Sequence, residues 1–94
     1  MTGDVRDNAA EHRYEIRVGN DVAFLKYFDT RRGPRSLIHT EVPPSLQGKG
    51  IAGRLVKAAL DDAQTRGLRI VPVCPFVKSY LARHPEYSDR IWKN

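Results

Sequence analysis

His39 and Glu41 stand two apart in the run SLIHTEV (36–42), which alternates like a strand. At that spacing both side chains leave one face, their Cα atoms about 6.5–7 Å apart. Either group can take a proton from an incoming nucleophile. Equally, the two can form a solvated pair on an exposed sheet face. Cys74 ends an apolar run and is followed by Pro75, a residue suited to the first turn of a helix. A helix starting there would lower the thiol's pKa and make it a nucleophile. The competing reading is a small buried core residue. Between these candidates lies QGKGIAGR (47–54), with glycines at 48, 50 and 53. Glycine permits positive φ and close backbone approach. The turn opens directly into a helical pattern, whose first N–H groups lack intrahelical partners. Such an end, with Lys49 and Arg54 adding charge, suits an anion. Glycines that merely turn the chain are the alternative. The spacing is not that of a P-loop. The letters G-x-G-x-x-G do occur, but Leu68 to Val73 occupy the place where a dinucleotide site needs a strand ending in an acid.

The elements that must position these groups are legible in the hydrophobic pattern. From His12 to Val18 the chain alternates, with Tyr14, Ile16 and Val18 on one side and Arg13, Glu15 and Arg17 on the other. Gly19-Asn20-Asp21 is turn chemistry. Val22 to Phe28 reads as a second strand, DTRRGP as a connection, and Ser36 to Val42 as a third strand. Three such runs with short links form an antiparallel meander. Ala52, Leu55, Val56, Ala59, Leu60 and Ala63 then make one apolar stripe at helical spacing. Arg66 complements the helix dipole and Gly67 suits the C′ position. Leu68 to Cys74 reads as a buried strand. Phe76 to Arg83 reads as a second helix with Phe76, Val77, Tyr80 and Leu81 inward, broken by HPEY. Ile91 and Trp92 should pin the closing segment, and Trp92, Phe24, Tyr27 and Phe28 read as core. Residues 1–10 read as a flexible tail and 11–94 as a single domain. The fold class is α/β (an α+β mixed sheet) in the order β-β-β-α-β-α. Its strand-helix-strand part, Ser36 to Cys74, should be a right-handed crossover.

Composition narrows the partners. The chain has 94 residues, 40% hydrophobic and 29% charged, with a net charge of +5 and a pI near 9.7. That charge favours anionic partners without naming one. The cations are scattered, with short clusters at Arg31-Arg32 and Arg66 to Arg69. No strand face interleaves basic and aromatic residues, which argues against nucleic acid. A lone cysteine, no span of about 18 apolar residues and no signal-peptide core in MTGDVRDNAA make a reducing cytoplasm, away from membranes, the expectation. His84 has no second ligand at a suitable spacing, so no metal is expected.

Gln47, Gly50 and Ala52 fit the Q/R-x-x-G-x-G/A pattern of the GNAT superfamily of N-acetyltransferases, after a strand and at the start of an amphipathic helix. The stretch from about His12 to Tyr87 resembles the small single-domain members of that superfamily. HTEVPPSLQGKGIAGRLV and VPVCPFVKSYLARHPEY carry the likeness. The resemblance implies a minimal GNAT-like fold and a turn (Gln47, Gly48, Lys49, Gly50, Ile51, Ala52, Gly53, Arg54) that binds the pyrophosphate of coenzyme A. It implies that the strand edge from Thr40 to Val42 pairs with the pantetheine arm, in a slot between two parallel strands that splay apart. It also implies an amine acceptor, a small molecule or a protein lysine, deprotonated by Glu41 or His39. Cys74 is then a candidate acyl carrier. Tyr80 is a candidate donor to the departing thiolate, or a packed aromatic. Longer relatives have an N-terminal helical region at the acceptor pocket, absent from this strand-to-strand order, so a shallow open site is expected. Acetyl-CoA is the implied cosubstrate and a monomer or weak dimer the implied state. A CoA-binding module without catalysis is the alternative.

Overall fold

The computed structural model describes residues 4–31 and 33–93. Arg32 of the basic pair lies outside them, as do residues 1–3 of the expected tail and residue 94.

Five strands form one sheet in the order of the chain: β1 (Arg6–Asn8), β2 (Arg13–Val18), β3 (Asp21–Asp29), β4 (Arg35–Glu41) and β5 (Ile70–Pro72). The first four pair antiparallel; β4 and β5 pair parallel across helix α1 (Ile51–Arg66). Helix α2 (Pro75–Arg83) follows β5. The mixed fold and the meander-then-crossover order therefore match expectation, with one strand added. The tail reading does not hold for Arg6–Asn8, which pair with Glu15, Tyr14 and Arg13. Their side chains are polar, and the backbone ladder needs no apolar pattern to form. The strand expected over Leu68 to Cys74 shortens to Ile70–Pro72.

The period of two sorts the sheet into unlike faces. Tyr14, Ile16, Ala23, Leu25, Tyr27 and Leu37 are buried with Leu55, Val56, Ala59 and Leu60 of α1. At about 25 cal/mol per Å² of apolar surface, this single layer of contact is the main source of stability. Gly67 ends α1 at φ +70°, and its N–H donates to Ala63 and Gln64 carbonyls, the left-handed cap its position implied. Ile91 bridges Ile70, and the Trp92 N–H donates to the Ile70 carbonyl, so the closing segment is pinned. Two side chains expected in the core lie outside it: Phe28 is 60% and Trp92 43% exposed. Phe24 is half-buried.

At the base of the sheet Arg35 is buried. It donates to both oxygens of Asp29 at 2.7 and 3.0 Å and to the Tyr14 hydroxyl at 2.7 Å. Its guanidinium lies 3.9 Å from the Tyr27 ring centroid. Burial and a hydrogen bond to Asp7 push the Tyr27 pKa up to about 12.

Candidate active site

One irregularity shapes the upper end of the sheet. Lys26 pairs with His39 but Tyr27 pairs with Leu37, so Ile38 has no partner on β3. Such a bulge bends a strand and re-aims its side chains. As a result Leu37 and Thr40, three residues apart, share the helix-covered face opposite Tyr27 and Leu25. Pairing with β5 stops at Leu37 and Pro72, and the Leu37 carbonyl takes the N–H groups of both Val73 and Cys74. Beyond that point β4 runs on to Glu41 with no partner on its β5 side, and α2 begins instead. The two parallel strands thus part where the chemistry was expected.

Cys74 sits in this fork as the N-cap residue of α2. It is 4% exposed, and its Sγ lies 3.3 Å from Thr40 Oγ1. Burial works to raise the thiol pKa. The Thr40 hydroxyl and the N–H groups of Val77, Phe76 and Thr40 outweigh it, and the net shift is downward. The donors at the helix start are those that Pro75 implied; the Thr40 hydroxyl comes from a strand 34 residues away, which nothing in the run LRIVPVC discloses.

The glycine turn lies beside the fork. After Glu41 a 3-10 turn, Pro44–Leu46, buries Leu46 in the core. Ser45 Oγ donates to Asp21 at 2.6 Å, and Gln47 Nε2 donates to the Val42 carbonyl at 3.1 Å. Gln47 therefore ties the turn to the end of β4. Gly48 and Gly50 adopt φ +77° and +72°, conformations that L side chains rarely take. Gly50 is the N-cap of α1, and the first helical bond runs from the Arg54 N–H to its carbonyl. The N–H groups of Ile51, Ala52 and Gly53 thus have no carbonyl one turn back, and the positive end of the helix dipole opens here.

Val42, Gln47, Gly48, Gly50, Ile51, Ala52 and Gly53 line a cleft of about 340 Å³, together with Leu46 and Phe76. Seven of the ten expected binding positions meet there, and Thr40 stands at the adjoining fork. Lys49 is exposed and does not line the cleft. Arg54 lines a different hollow, with Val5, Lys57, Ala58 and Asp61. Phe76 is the lining residue that sequence reading placed in the core. Its position directly after Pro75, where the first turn of a helix still faces the fork, is the signal that would have found it.

His39 and Glu41 lie on the other face of the sheet. Their side chains are 59% and 62% exposed, and Nε2 and Oε1 are 3.3 Å apart. The structure pairs them with each other and does not bring them into contact with Cys74. Tyr80 packs behind the first turn of α1: a Cβ added at Gly53 would lie 3.8 Å from its ring. It stacks on His84 with centroids 4.0 Å apart, and burial raises its pKa. Among the described residues no three His, Cys, Asp or Glu side chains gather as a metal site.

A second hollow, about 380 Å³, lies at the opposite end of the sheet between Asp29, Arg31, Gly67, Arg69 and Trp92. It adjoins the C-terminal end of α1, where the dipole is negative and disfavours a phosphate. The glycine cleft opens instead at the positive end of the α1 dipole.

Residues 13–90 match the family model described as GCN5-related N-acetyl-transferase. The chain belongs to that family. Protein NATD1 of Homo sapiens is 31% identical over 91 residues, covering 93% of this chain and 80% of that protein. Protein NATD1 of Xenopus tropicalis is 30% identical over 91 residues, covering 93% and 84%. The solution structure of a GCN5-like N-acetyltransferase candidate from Staphylococcus aureus superposes with a TM-score of 0.74 at 25% identity. It covers 97% of this chain and 89% of that one.

Proposed function

We propose that this member of the GCN5-related N-acetyltransferase family transfers acetyl from acetyl-CoA to an amine. The observation that carries the reading is the junction of the glycine cleft with the fork between β4 and β5. Donors for a pyrophosphate and an apolar path lined by Val42, Ile51 and Phe76 meet there, next to Thr40 and Cys74. In this reading the pyrophosphate lies on the N–H groups of Ile51 to Gly53, and the free edge of β4 from Thr40 to Val42 pairs with the pantetheine arm. The thioester carbonyl reaches the fork.

The amine arrives over the open face of the sheet. Its nitrogen attacks the carbonyl carbon, a C–N bond forms, and the C–S bond breaks. Glu41, with His39 beside it, takes the amine's proton directly or through water. The CoA sulfur leaves with the bonding pair and takes a proton. Tyr80, whose hydroxyl is protonated at neutral pH like that of any unperturbed tyrosine, is the candidate donor. A relay through Cys74 is the second route, favoured by the lowered thiol pKa. There the thiolate takes the acetyl group from CoA and passes it to the amine. Direct attack is preferred because an amine held beside a thioester needs no relay. A reducing compartment such as the cytoplasm suits a single functional thiol.

Release of free CoA from acetyl-CoA, measured across a panel of small amines and lysine peptides, tests the reading. Acceptor-dependent release is expected. Tight acetyl-CoA binding with no release against any acceptor would replace the enzyme with a binding module.

A further inference from the structure

The helices cover one face of the sheet only. On the other, much of the alternate row of β1 to β4 stays on the surface. Arg6, Arg17, Lys26, Phe28, His39 and Glu41 are exposed there, although the sheet beneath them is five strands wide. A largely antiparallel sheet can carry its helices on one face and leave the other to solvent, so what this face offers a partner depends on its side chains.

The side chains on it are not loosely arranged. Glu15, 1% exposed, lies flat on the sheet and accepts from Arg13 Nε at 2.9 Å, Arg17 Nε at 3.2 Å and Asn8 Nδ2 at 3.3 Å. The Arg13 guanidinium lies 4.7 Å from the Phe24 ring centroid, and that ring meets the His39 ring edge-on at 6.1 Å. His39 meets Glu41. A continuous row of contacts therefore runs across β2, β3 and β4 and ends at the candidate base. Both arginines are held through Nε, and their terminal nitrogens bond no described side chain. They are preoriented forks of the kind that bind carboxylates in pairs.

We propose that this open face docks the acceptor, and that it fits an extended acidic peptide segment carrying a lysine. The inference rests on the acetyltransferase reading for the fate of the lysine, and on this face alone for the docking. Four cations (Arg6, Arg13, Arg17 and Lys26) stand against three carboxylates. Glu15 is paired with Arg13 and Arg17, and Asp4 lines a hollow at the β1 edge with Arg6, Glu15 and Arg17. The third, Glu41, lies at the β4 end, where the lysine amine belongs. From β4 to β2 is two strand spacings of about 4.8 Å, the reach of roughly three extended residues. The face therefore selects a lysine with Asp or Glu about three positions away, and Phe28 offers an apolar contact.

Phe24, Lys26 and Phe28 do alternate aromatic and basic on one side of β3, contrary to expectation. A single-stranded nucleic acid still fits less well. Arg13 and His39 already cover the Phe24 ring, leaving one aromatic to stack on. A nucleic acid would also bring a phosphate to every step, including Glu41, whereas a peptide places its charges singly.

The test uses a short fluorescein-labelled peptide with one lysine and glutamates about three residues to either side. Glutamine and arginine versions and a single-stranded oligonucleotide serve as comparisons, with binding followed by anisotropy. The glutamate peptide should bind best. Lys26→Glu should weaken it about tenfold, as expected for a charge reversed at a docking surface. Phe28→Ser should weaken it a few fold, while Lys78→Glu, the same charge change on exposed α2, should leave it within about twofold. Equal losses in Lys26→Glu and Lys78→Glu would overturn the docking face, as would tighter binding of the oligonucleotide or equal binding of the glutamine peptide. The melting shift given by acetyl-CoA, read on the same samples, separates the two claims. Its absence with the peptide pattern intact removes the acetyltransferase reading and keeps the face. Its presence with no peptide pattern removes the face alone.

Discussion

Gly50→Asp is the substitution that separates a turn glycine from a ligand-facing one. Gly50 has φ +72°, and a Cβ built on it meets nothing within 4 Å. The protein itself therefore has room for the side chain. The cost to the fold is backbone strain alone, about 1 kcal/mol for an aspartate in the left-handed region. For a domain of this size that lowers Tm by roughly 4–8 °C. The empty space, however, is the cleft. A carboxylate about 4 Å from one phosphate charge costs about 1 kcal/mol in bulk water and about 4 kcal/mol at an effective dielectric near a protein surface. CoA affinity should then fall between roughly fivefold and 10³-fold. Gly19 supplies the control: it has φ +60°, an equally open surrounding, and sits in the β2–β3 turn. Gly19→Asp should share the loss in Tm and keep full CoA affinity by titration calorimetry. If both variants, folded by circular dichroism, bind CoA equally well, the glycine turn is only a turn and the ligand lies elsewhere.

The remaining expectations follow from the same geometry. Cys74→Ala should keep most of its turnover if the amine attacks directly, whereas Glu41→Gln should lose about 10²-fold in kcat. A folded Cys74→Ala near zero activity would establish the relay instead. Glu15→Gln should lower Tm at pH 7 by an amount equivalent to about 1.5–3 kcal/mol, the worth of hydrogen bonds to a charged group. Burial alone would raise the Glu15 pKa, but Arg13, Asn8 and Arg17 bring it below the ordinary carboxylate value. Its stabilisation is therefore present above about pH 4.3, the unperturbed value, and fades as pH falls through the lower folded one. The variant and the parent should converge in acid melts; a constant difference down to the most acid samples would contradict this. Arg35→Leu breaks the bonds to Asp29 and Tyr14 and should cost about 2–4 kcal/mol in chemical denaturation, with CoA affinity unchanged in the folded fraction. A loss below 1 kcal/mol would show that the network at the base of the sheet is not structural.

The parts of this account legible in sequence are those a local pattern can encode. The alternation in β2, the stripe of α1, Gly67 as its cap and the glycines at 48 and 50 each impose their geometry within a few residues. The fork between β4 and β5 depends on the unpaired Ile38, whose oddness exists only relative to Lys26 and Tyr27 on the neighbouring strand. The Thr40 donor on Cys74 and the chain of contacts from Arg17 to Glu41 are likewise cross-strand, and no periodicity announces them. Large aromatics usually mean core, but on a sheet covered from one side Phe28 falls on the open face, and Trp92 also lies outside the core. Arg6–Asn8 carry no strand signal because an edge strand can be held by its backbone with scarcely an apolar residue.

The central claim is that the cleft at the glycine turn holds acyl-CoA with its thioester toward the fork. Amide chemical-shift mapping of the labelled protein during a CoA titration tests it most directly. The largest changes are expected at Gly48, Gly50, Ile51, Ala52 and Phe76, with smaller ones at Thr40 and Cys74. Saturation at millimolar CoA without change at those amides, or changes gathered around Arg31, Arg69 and Trp92, would contradict it.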